Sequence, residues 1–167
     1  MKTLKYFIII ILVISAAWSC TNMSHDNSDY QLLRDSLNLL KKQTEQVEIN
    51  KKIVATFYQQ FFGDKNVDVI EEYLVENYIQ HNPMLPDGRD TLYNSAKLWF
   101  KNAPKSEIDI HHLGADGEFV YIHTRMERVG KVYSVIDIFR IEDGKIAEHW
   151  DVIQEVPEKS ANPHPMF

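Results

Sequence analysis

Four short β-type runs fill the C-terminal half of the chain, and they limit the folds that it can adopt. Each is rich in β-branched and aromatic residues, and they lie at about residues 107–113, 118–127, 132–141 and 145–154. A dipeptide ending in glycine separates each run from the next, which is typical of hairpin turns. These dipeptides are Asp116-Gly117, Val129-Gly130 and Asp143-Gly144. The pattern predicts an antiparallel meander.

Helical periodicity precedes the strands. Apolar residues at helical spacing from Ile53 to Phe62 predict a helix that Gly63 ends. A second short helix is predicted over Val67–Leu74, and a third from an Asp90 cap to about Lys101. Helices followed by a meander indicate a single α+β domain, which we place at residues 48–167.

The N-terminus has the features of an export signal. Lys2 and Lys5 precede an apolar stretch, and small residues lead to Cys20, the single cysteine. We predict a signal peptide at residues 1–19 and a lipid anchor on Cys20, because residues 17–20 resemble a bacterial lipobox. Ordinary signal cleavage and an uncleaved anchor are the alternatives. The expected location is the bacterial cell envelope.

Residues 20–47 are predicted to connect the anchor to the domain. The polar stretch 21–29 favours a flexible tether, and Tyr30–Val47 favours an amphipathic helix that serves as a stalk or lies on the domain.

Composition and motifs exclude several classes of function. The formal net charge is −6 and no basic stripe is present, so the sequence does not indicate nucleic-acid binding. A glycine-rich phosphate loop and a GxSxG elbow are missing from the sequence. His149 and Asp151 have a spacing that could chelate an ion, but no HExxH or cysteine pattern supports a metal site. We therefore expect no cofactor and no metal.

Polar residues interrupt the apolar strands, and their positions predict a site. Asp137 has apolar neighbours on both sides, and a buried carboxylate needs a partner. If every hairpin has a three-residue loop, one sheet face carries the set Tyr121, His123, Asp137, His149 and Asp151, with His111 alongside. A two-residue loop would move the following residues to the other face. His111 and His112 are adjacent and are expected on opposite faces.

An aspartate beside a histidine suits general-base chemistry, with histidine or tyrosine as donor to a developing enolate. The alternative is a structural hydrogen-bonded cluster or a solvated polar stripe. His81 and Asn82 precede Pro83 and are either a simple turn or polar groups at a pocket mouth.

Residues 78–83 and 135–152 resemble the SnoaL-like family, in particular its branch described as predicted aldol-condensation-catalysing enzymes. The resemblance spans about residues 47–167. It implies an NTF2-like cone with a curved antiparallel sheet around a pocket, and often a homodimer through the outer sheet face. It also implies catalysis without cofactor or metal, with Asp137 as base, His123 as its partner and Asp151 as the rival base.

Three functions are consistent with these observations. The first is a cofactor-independent cyclase or isomerase acting on a small hydrophobic carbonyl compound, with Asp137 and His123 as catalytic residues. The pocket residues would then be His81, Asn82, Tyr121, His149 and Asp151. The second is a non-catalytic ligand-binding module in the envelope. The third is an interaction protein that dimerises through the sheet face or the helix at Leu32–Leu40.

Overall fold

The structure is a computed structural model that describes the backbone of residues 2–167 and the side chains of residues 27–167. Helix α1 spans Lys2–Tyr58 and continues as a π-helical turn over Gln59–Gly63. Internal contacts divide the described chain into two units between Thr44 and Glu45. The predicted signal peptide and the Cys20 side chain lie outside the described side chains.

Helix α1 includes residues 21–29, for which the sequence predicts a flexible tether. That prediction is wrong for the backbone, because helix propagation across weak helix formers costs little once both flanks are helical. In the part of the chain that the structure describes, no helix combines the length and apolarity needed to cross a membrane.

The C-terminal unit is α+β, as predicted. Helix α2 spans Val69–Tyr73 and α3 spans Arg89–Trp99. The strands are β1 Leu74–Gln80, β2 Asp109–Asp116, β3 Phe119–Arg128, β4 Lys131–Glu142 and β5 Lys145–Glu155. They form one sheet in the order β1-β5-β4-β3-β2, antiparallel except for the parallel pair of β1 with β5.

Strand β1 and the start of helix α3 also differ from the sequence predictions. Strand β1 was not predicted, since its apolar residues continue the pattern of the preceding helix. Helix α3 begins at Arg89, and Gly88 occupies the N-cap position without a side-chain hydrogen bond, so Asp90 is not the cap.

The core lies between the helices and one face of the sheet. The aromatic residues Phe57, Tyr58 and Phe61 project from the end of α1 and the π-helical turn, and all are at most 2% exposed. Phe57 and Tyr58 make edge-to-face contacts with Phe139 of β4, and Phe61 stacks on Phe57. Gly63 ends the helical segment and lies close to Ser106. A Cβ at Gly63 would be 2.7 Å from the carbonyl oxygen of Ser106, so this position requires glycine.

All three hairpins have two-residue turns, and the predicted three-residue loops are wrong. Arg128 pairs with Lys131, and Glu142 pairs with Lys145. Both central residues of the β3–β4 turn have positive φ, 52° at Val129 and 74° at Gly130. This geometry follows the right-handed twist of the flanking strands and is therefore favoured in tight hairpins.

The shorter turns change which residues share a face. Asp137 lies opposite Ile122, so Tyr121 and His123 point away from Asp137. Between β4 and β5 a bulge at Arg140/Ile141 adds one further residue of shift. That shift cancels the effect of the shorter turn, and Asp137 lies opposite Asp151 on the same face as His149.

Candidate active site

A cavity of about 1060 Å³ lies between the helical layer and the inner face of the sheet. Its walls are mostly apolar, and the aromatic residues among them are Phe57, Tyr58, Phe61, Phe62, Tyr78, Trp99, Phe100 and Phe139. Four polar residues predicted for the site reach this cavity: Asn82, Asp137, His149 and Asp151. Apolar walls around a few convergent polar groups are the usual composition of a small-molecule site.

The Asp137–His149 pair lies on the cavity side of β4 and β5. His149 Nε2 is 2.8 Å from Asp137 Oδ1, and the two residues are 6% and 3% exposed. A charge buried this deeply needs a partner, and each residue provides one for the other.

Tyr58 provides a second donor to Asp137. Its hydroxyl donates to Asp137 Oδ2 over 2.8 Å and lies 3.3 Å from Thr124 Oγ1. Burial, followed by the Asp137 charge, raises the pKa of Tyr58 well above its ordinary value. Tyr58 therefore keeps its proton and remains a donor.

Gln80 determines the tautomer of His149. The backbone N–H of Asn82 donates to Gln80 Oε1 over 2.9 Å, so this atom of the amide is the acceptor. The same oxygen lies 3.1 Å from His149 Nδ1, which must therefore carry a proton. The 2.8 Å contact with Asp137 then requires one more proton between Nε2 and the carboxylate. If that proton is on Nε2, a cationic His149 faces an anionic Asp137; if it is on the carboxylate, both side chains are neutral. The pair carries no net charge in either form.

Tyr78 also belongs to the site. Its hydroxyl oxygen accepts from Gln80 Nε2 over 3.1 Å, and no acceptor among the described residues receives the phenol proton. Burial is the main cause of the raised pKa of Tyr78, and the charges of Asp137, Asp151 and Asp87 raise it further. The result is a neutral phenol in the cavity with one proton available to a ligand.

Asp151 differs from Asp137 in its partners. Asn82 Nδ2 donates to both carboxylate oxygens, over 2.9 Å and 2.6 Å, and Asp151 is half-buried. Among the described residues, no acidic donor contacts its carboxylate. The Asp151 carboxylate therefore keeps acceptor capacity that a ligand in the cavity can use.

Three predicted residues lie outside the cavity. His123 is on the outer sheet face, bonded to Ser134, and Tyr121 is 41% exposed on that face. The predicted juxtaposition of both residues with Asp137 is wrong, because the two-residue β3–β4 turn reverses their direction. His81 stacks on Trp150 with a centroid separation of 4.2 Å, which contradicts its predicted place at the pocket mouth.

The His81 ring is held on the outer face by Glu148. Its Nε2 lies 2.9 Å from Glu148 Oε2, and Arg140 Nε donates to Glu148 Oε1 over 2.7 Å. The hydrogen bond to His81 is the main cause of the lowered pKa of Glu148, and the hydrogen bond to Arg140 is the second.

Sequence analysis missed Tyr58, Tyr78 and Gln80. Tyr78 and Gln80 are two residues apart on β1 and share a sheet face, and β1 pairs with β5. Recognition of that strand would therefore have placed them next to His149. Tyr58 has the spacing of a core residue, and no local pattern distinguishes it.

Asp137, His149 and Asp151 also form a potential metal-ligand set in the described part of the chain. One candidate ligand atom from each lies within 4.8 Å of the others. Their polar atoms already have partners in Tyr58, Gln80 and Asn82. An ion would therefore have to displace these hydrogen bonds.

Residues 54–149 match the SnoaL-like domain family, so the chain belongs to this family. That range covers the end of α1, most of the cavity lining and the Asp137–His149 pair, and Asp151 lies two residues beyond it. No curated protein matches the chain significantly.

Solved structures share the fold at low sequence identity. A protein from Acidithiobacillus ferrooxidans described as a candidate polyketide cyclase aligns with a TM-score of 0.54 and 18% identity, over 63% of this chain and 87% of its own. An NTF-2-like protein of unknown function from Burkholderia xenovorans aligns with a TM-score of 0.56 and 13% identity, over 68% of this chain and 89% of its own. A candidate ketosteroid isomerase from Kribbella flavida aligns with a TM-score of 0.56 and 15% identity, over 70% of this chain and 85% of its own. The fold is therefore NTF2-like.

Proposed function

We propose that the chain is a cofactor-independent acid–base enzyme that removes a proton α to the carbonyl of a small apolar compound. The observation that carries this proposal is the placement of Asp151, whose carboxylate is contacted only by the side-chain amide of Asn82, in the same apolar cavity as the donor Tyr78. A base and a neutral acid in one mostly apolar cavity are the groups that enolisation requires.

Asp151 is the base in this proposal. Asp137 already accepts from Tyr58 at one oxygen and is paired with His149 at the other, so both of its oxygens are engaged. Asp151 accepts only amide N–H groups from Asn82, which orient the carboxylate without offering an acidic proton. It is also the less buried of the two carboxylates.

Tyr78 is the proposed donor to the carbonyl oxygen. Its raised pKa keeps the phenol protonated, and Gln80 holds the oxygen from the other side. Negative charge develops on the carbonyl oxygen during proton removal, so a fixed O–H bond to this atom stabilises the transition state more than the ground state.

Asp137 and His149 are positioning residues. The neutral pair holds Gln80 through His149 Nδ1, and Gln80 in turn holds the hydroxyl of Tyr78. The chain of contacts fixes the donor relative to the base and adds no net charge beside it.

The bond changes balance without an oxidant or reductant. The α C–H bond breaks, its proton moves to Asp151, and its electron pair forms the enolate. Attack of the enolate carbon on a second carbonyl makes an aldol C–C bond, and Asp151 returns the proton to the new alkoxide. Return of the proton to another carbon of a conjugated system gives isomerisation.

Export and lipidation at Cys20 are part of the proposal. The signal-like sequence at residues 1–20 supports them. An envelope location would give the enzyme substrates that are found at or outside the membrane.

Turnover of cyclic and conjugated ketones by the full-length protein and two variants tests the assignment. Asp151→Asn keeps the size of the side chain, and we expect kcat to fall about 10²- to 10⁴-fold. Asp109→Asn is the matched control, since Asp109 also lines the cavity but ion-pairs with His111. Equal turnover in Asp151→Asn and the wild type would contradict the proposal. Saturable binding of the ketones without turnover would favour the binding module.

A further inference from the structure

Three histidines meet on the outer face of the sheet, away from the cavity. The β2–β3 pairing shifts between Ile110 and His112, so His111 is the extra residue of a β-bulge. The rings of His111 and His112 consequently both approach His123, with centroid separations of 6.4 Å and 5.2 Å. The expectation from strand alternation, that His111 and His112 face opposite sides, is wrong because the bulge redirects one of them.

One nitrogen atom from His112 and one from His123 are close enough to share an ion. His112 Nδ1 lies 2.9 Å from His123 Nδ1, and the two residues are directly paired across β2 and β3. Bonds of about 2.1 Å from each nitrogen to a metal ion would subtend roughly 90° at this separation, an ordinary angle in tetragonal and octahedral coordination.

The other ring nitrogens are held by polar partners. His123 Nε2 lies 2.7 Å from Ser134 Oγ, and His111 Nε2 lies 3.2 Å from Asp109 Oδ1. Histidine ligands of metals usually have such a partner on the second nitrogen, which fixes the tautomer and the ring plane. Ser134 in this way directs His123 Nδ1 towards His112.

The C-terminal residue adds an apolar cover. The Phe167 ring is 5.1 Å from that of His111 and 6.1 Å from that of His123. Burial, followed by the charges of His112 and His111, lowers the pKa of His123.

We propose that His112 and His123 bind a divalent transition-metal ion through their Nδ1 atoms. Imidazole nitrogen selects Zn²⁺, Cu²⁺ or Ni²⁺ over Mg²⁺ or Ca²⁺. The site lies on the opposite sheet face from Asp151 and has no part in the proposed proton transfer. Its role is binding of the ion at this surface.

The cavity cluster is the competing location for an ion. Asp137, His149 and Asp151 are close enough together, but each is already hydrogen-bonded to Tyr58, Gln80 or Asn82. Binding at His112 and His123 replaces a single hydrogen bond between exposed or half-buried rings. The outer site is therefore the less costly one to occupy.

Calorimetric titration of the full-length protein with ZnCl₂ and NiCl₂ tests the proposal. His112→Ala and His123→Ala should each weaken binding at least about tenfold, and His111→Ala should weaken it less. His164→Ala is the matched control, because this exposed histidine lies in the C-terminal tail. Every variant keeps Cys20, so any thiol binding is common to all of them.

A second readout locates the ion independently of folding defects. Zn²⁺ should shift the imidazole ¹⁵N resonances of His112 and His123 in the wild type and leave that of His149 unchanged. Loss of Zn²⁺ binding in Asp151→Asn, with normal binding in His123→Ala, would place the ion in the cavity and overturn the proposal. Failure of the wild type to bind either ion below millimolar concentration would also overturn it.

Discussion

Two buried phenols, Tyr58 and Tyr78, make the ionisation of the site dependent on the fold. Burial and the nearby carboxylates raise the pKa of both above the ordinary tyrosine value near 10. A raised pKa in the folded state means that their contribution to stability is complete below pH 10 and declines as pH rises towards the folded-state value.

We therefore expect Tyr58 and Tyr78 to ionise only when the protein unfolds in alkali. Absorbance at 295 nm, followed with circular dichroism, should show a late step that coincides with loss of secondary structure. Tyr78→Phe should reduce the amplitude of this late step. Complete ionisation of all tyrosines while the dichroism is still native would contradict the burial of these phenols.

The hydrogen bond from Tyr58 to Asp137 should contribute measurably to stability. Removal of the hydroxyl in Tyr58→Phe leaves a buried carboxylate with one donor fewer, so we expect a loss of about 1.5–3 kcal/mol in the free energy of unfolding. Urea denaturation measures this loss. Tyr121→Phe is the control, because Tyr121 is 41% exposed and its change should be close to zero. Equal stabilities of the two variants would argue against the hydrogen bond.

At the scale of elements, the turns decide which residues form the site. The four β-runs and the glycine turns were predictable, since β-branched content and Gly position are local signals. The length of each turn was not, because a Val-Gly or Asp-Gly pair fits both two- and three-residue loops. One residue of error placed Tyr121 and His123 beside Asp137, whereas the β4–β5 bulge kept Asp137, His149 and Asp151 together.

Strand β1 shows a second limit of local pattern. Its residues follow the apolar spacing of helix α2, and only the tertiary contact with β5 defines the strand. Gln80 and Tyr78 were missed for this reason. Recognition of the family implied a cone and a pocket, but the residues that line a cavity depend on the register of every pair of strands.

The β3–β4 turn offers a direct test of backbone strain. Val129 has a φ of 52° and is 97% exposed, so a β-branched residue occupies a left-handed conformation without compensating burial. Val129→Asn should raise the free energy of unfolding by about 1 kcal/mol, because asparagine tolerates this conformation. Thermal unfolding measures the change.

The same substitution on extended backbone should have the opposite sign. Val152 lies in β5 and is 68% exposed, and Val152→Asn should lower stability slightly because asparagine is disfavoured in strands. Stabilisation by both changes, or by neither, would show that the turn conformation is not the cause.

At the scale of the whole molecule, the proposal joins an export signal to an NTF2-like pocket domain. The sequence features at residues 1–20 predict that wild-type protein expressed in bacteria is found in the membrane fraction with an acylated Cys20. Cys20→Ser should release the protein into the soluble fraction, whereas Asp151→Asn should remain membrane-bound. Mass spectrometry of the N-terminal peptide measures the modification, and retention of Cys20→Ser in the membrane would indicate an uncleaved anchor instead.

Proton abstraction by Asp151 is the central claim, and solvent exchange tests it most directly. Small cyclic ketones are incubated with full-length protein in D₂O, and deuterium at the α carbon is followed by proton NMR. We predict exchange above the buffer rate with the wild type and with Asp109→Asn, a loss of at least about 10²-fold with Asp151→Asn, and a smaller loss with Tyr78→Phe. Wild-type exchange no faster than buffer, or undiminished exchange in Asp151→Asn, would contradict the account.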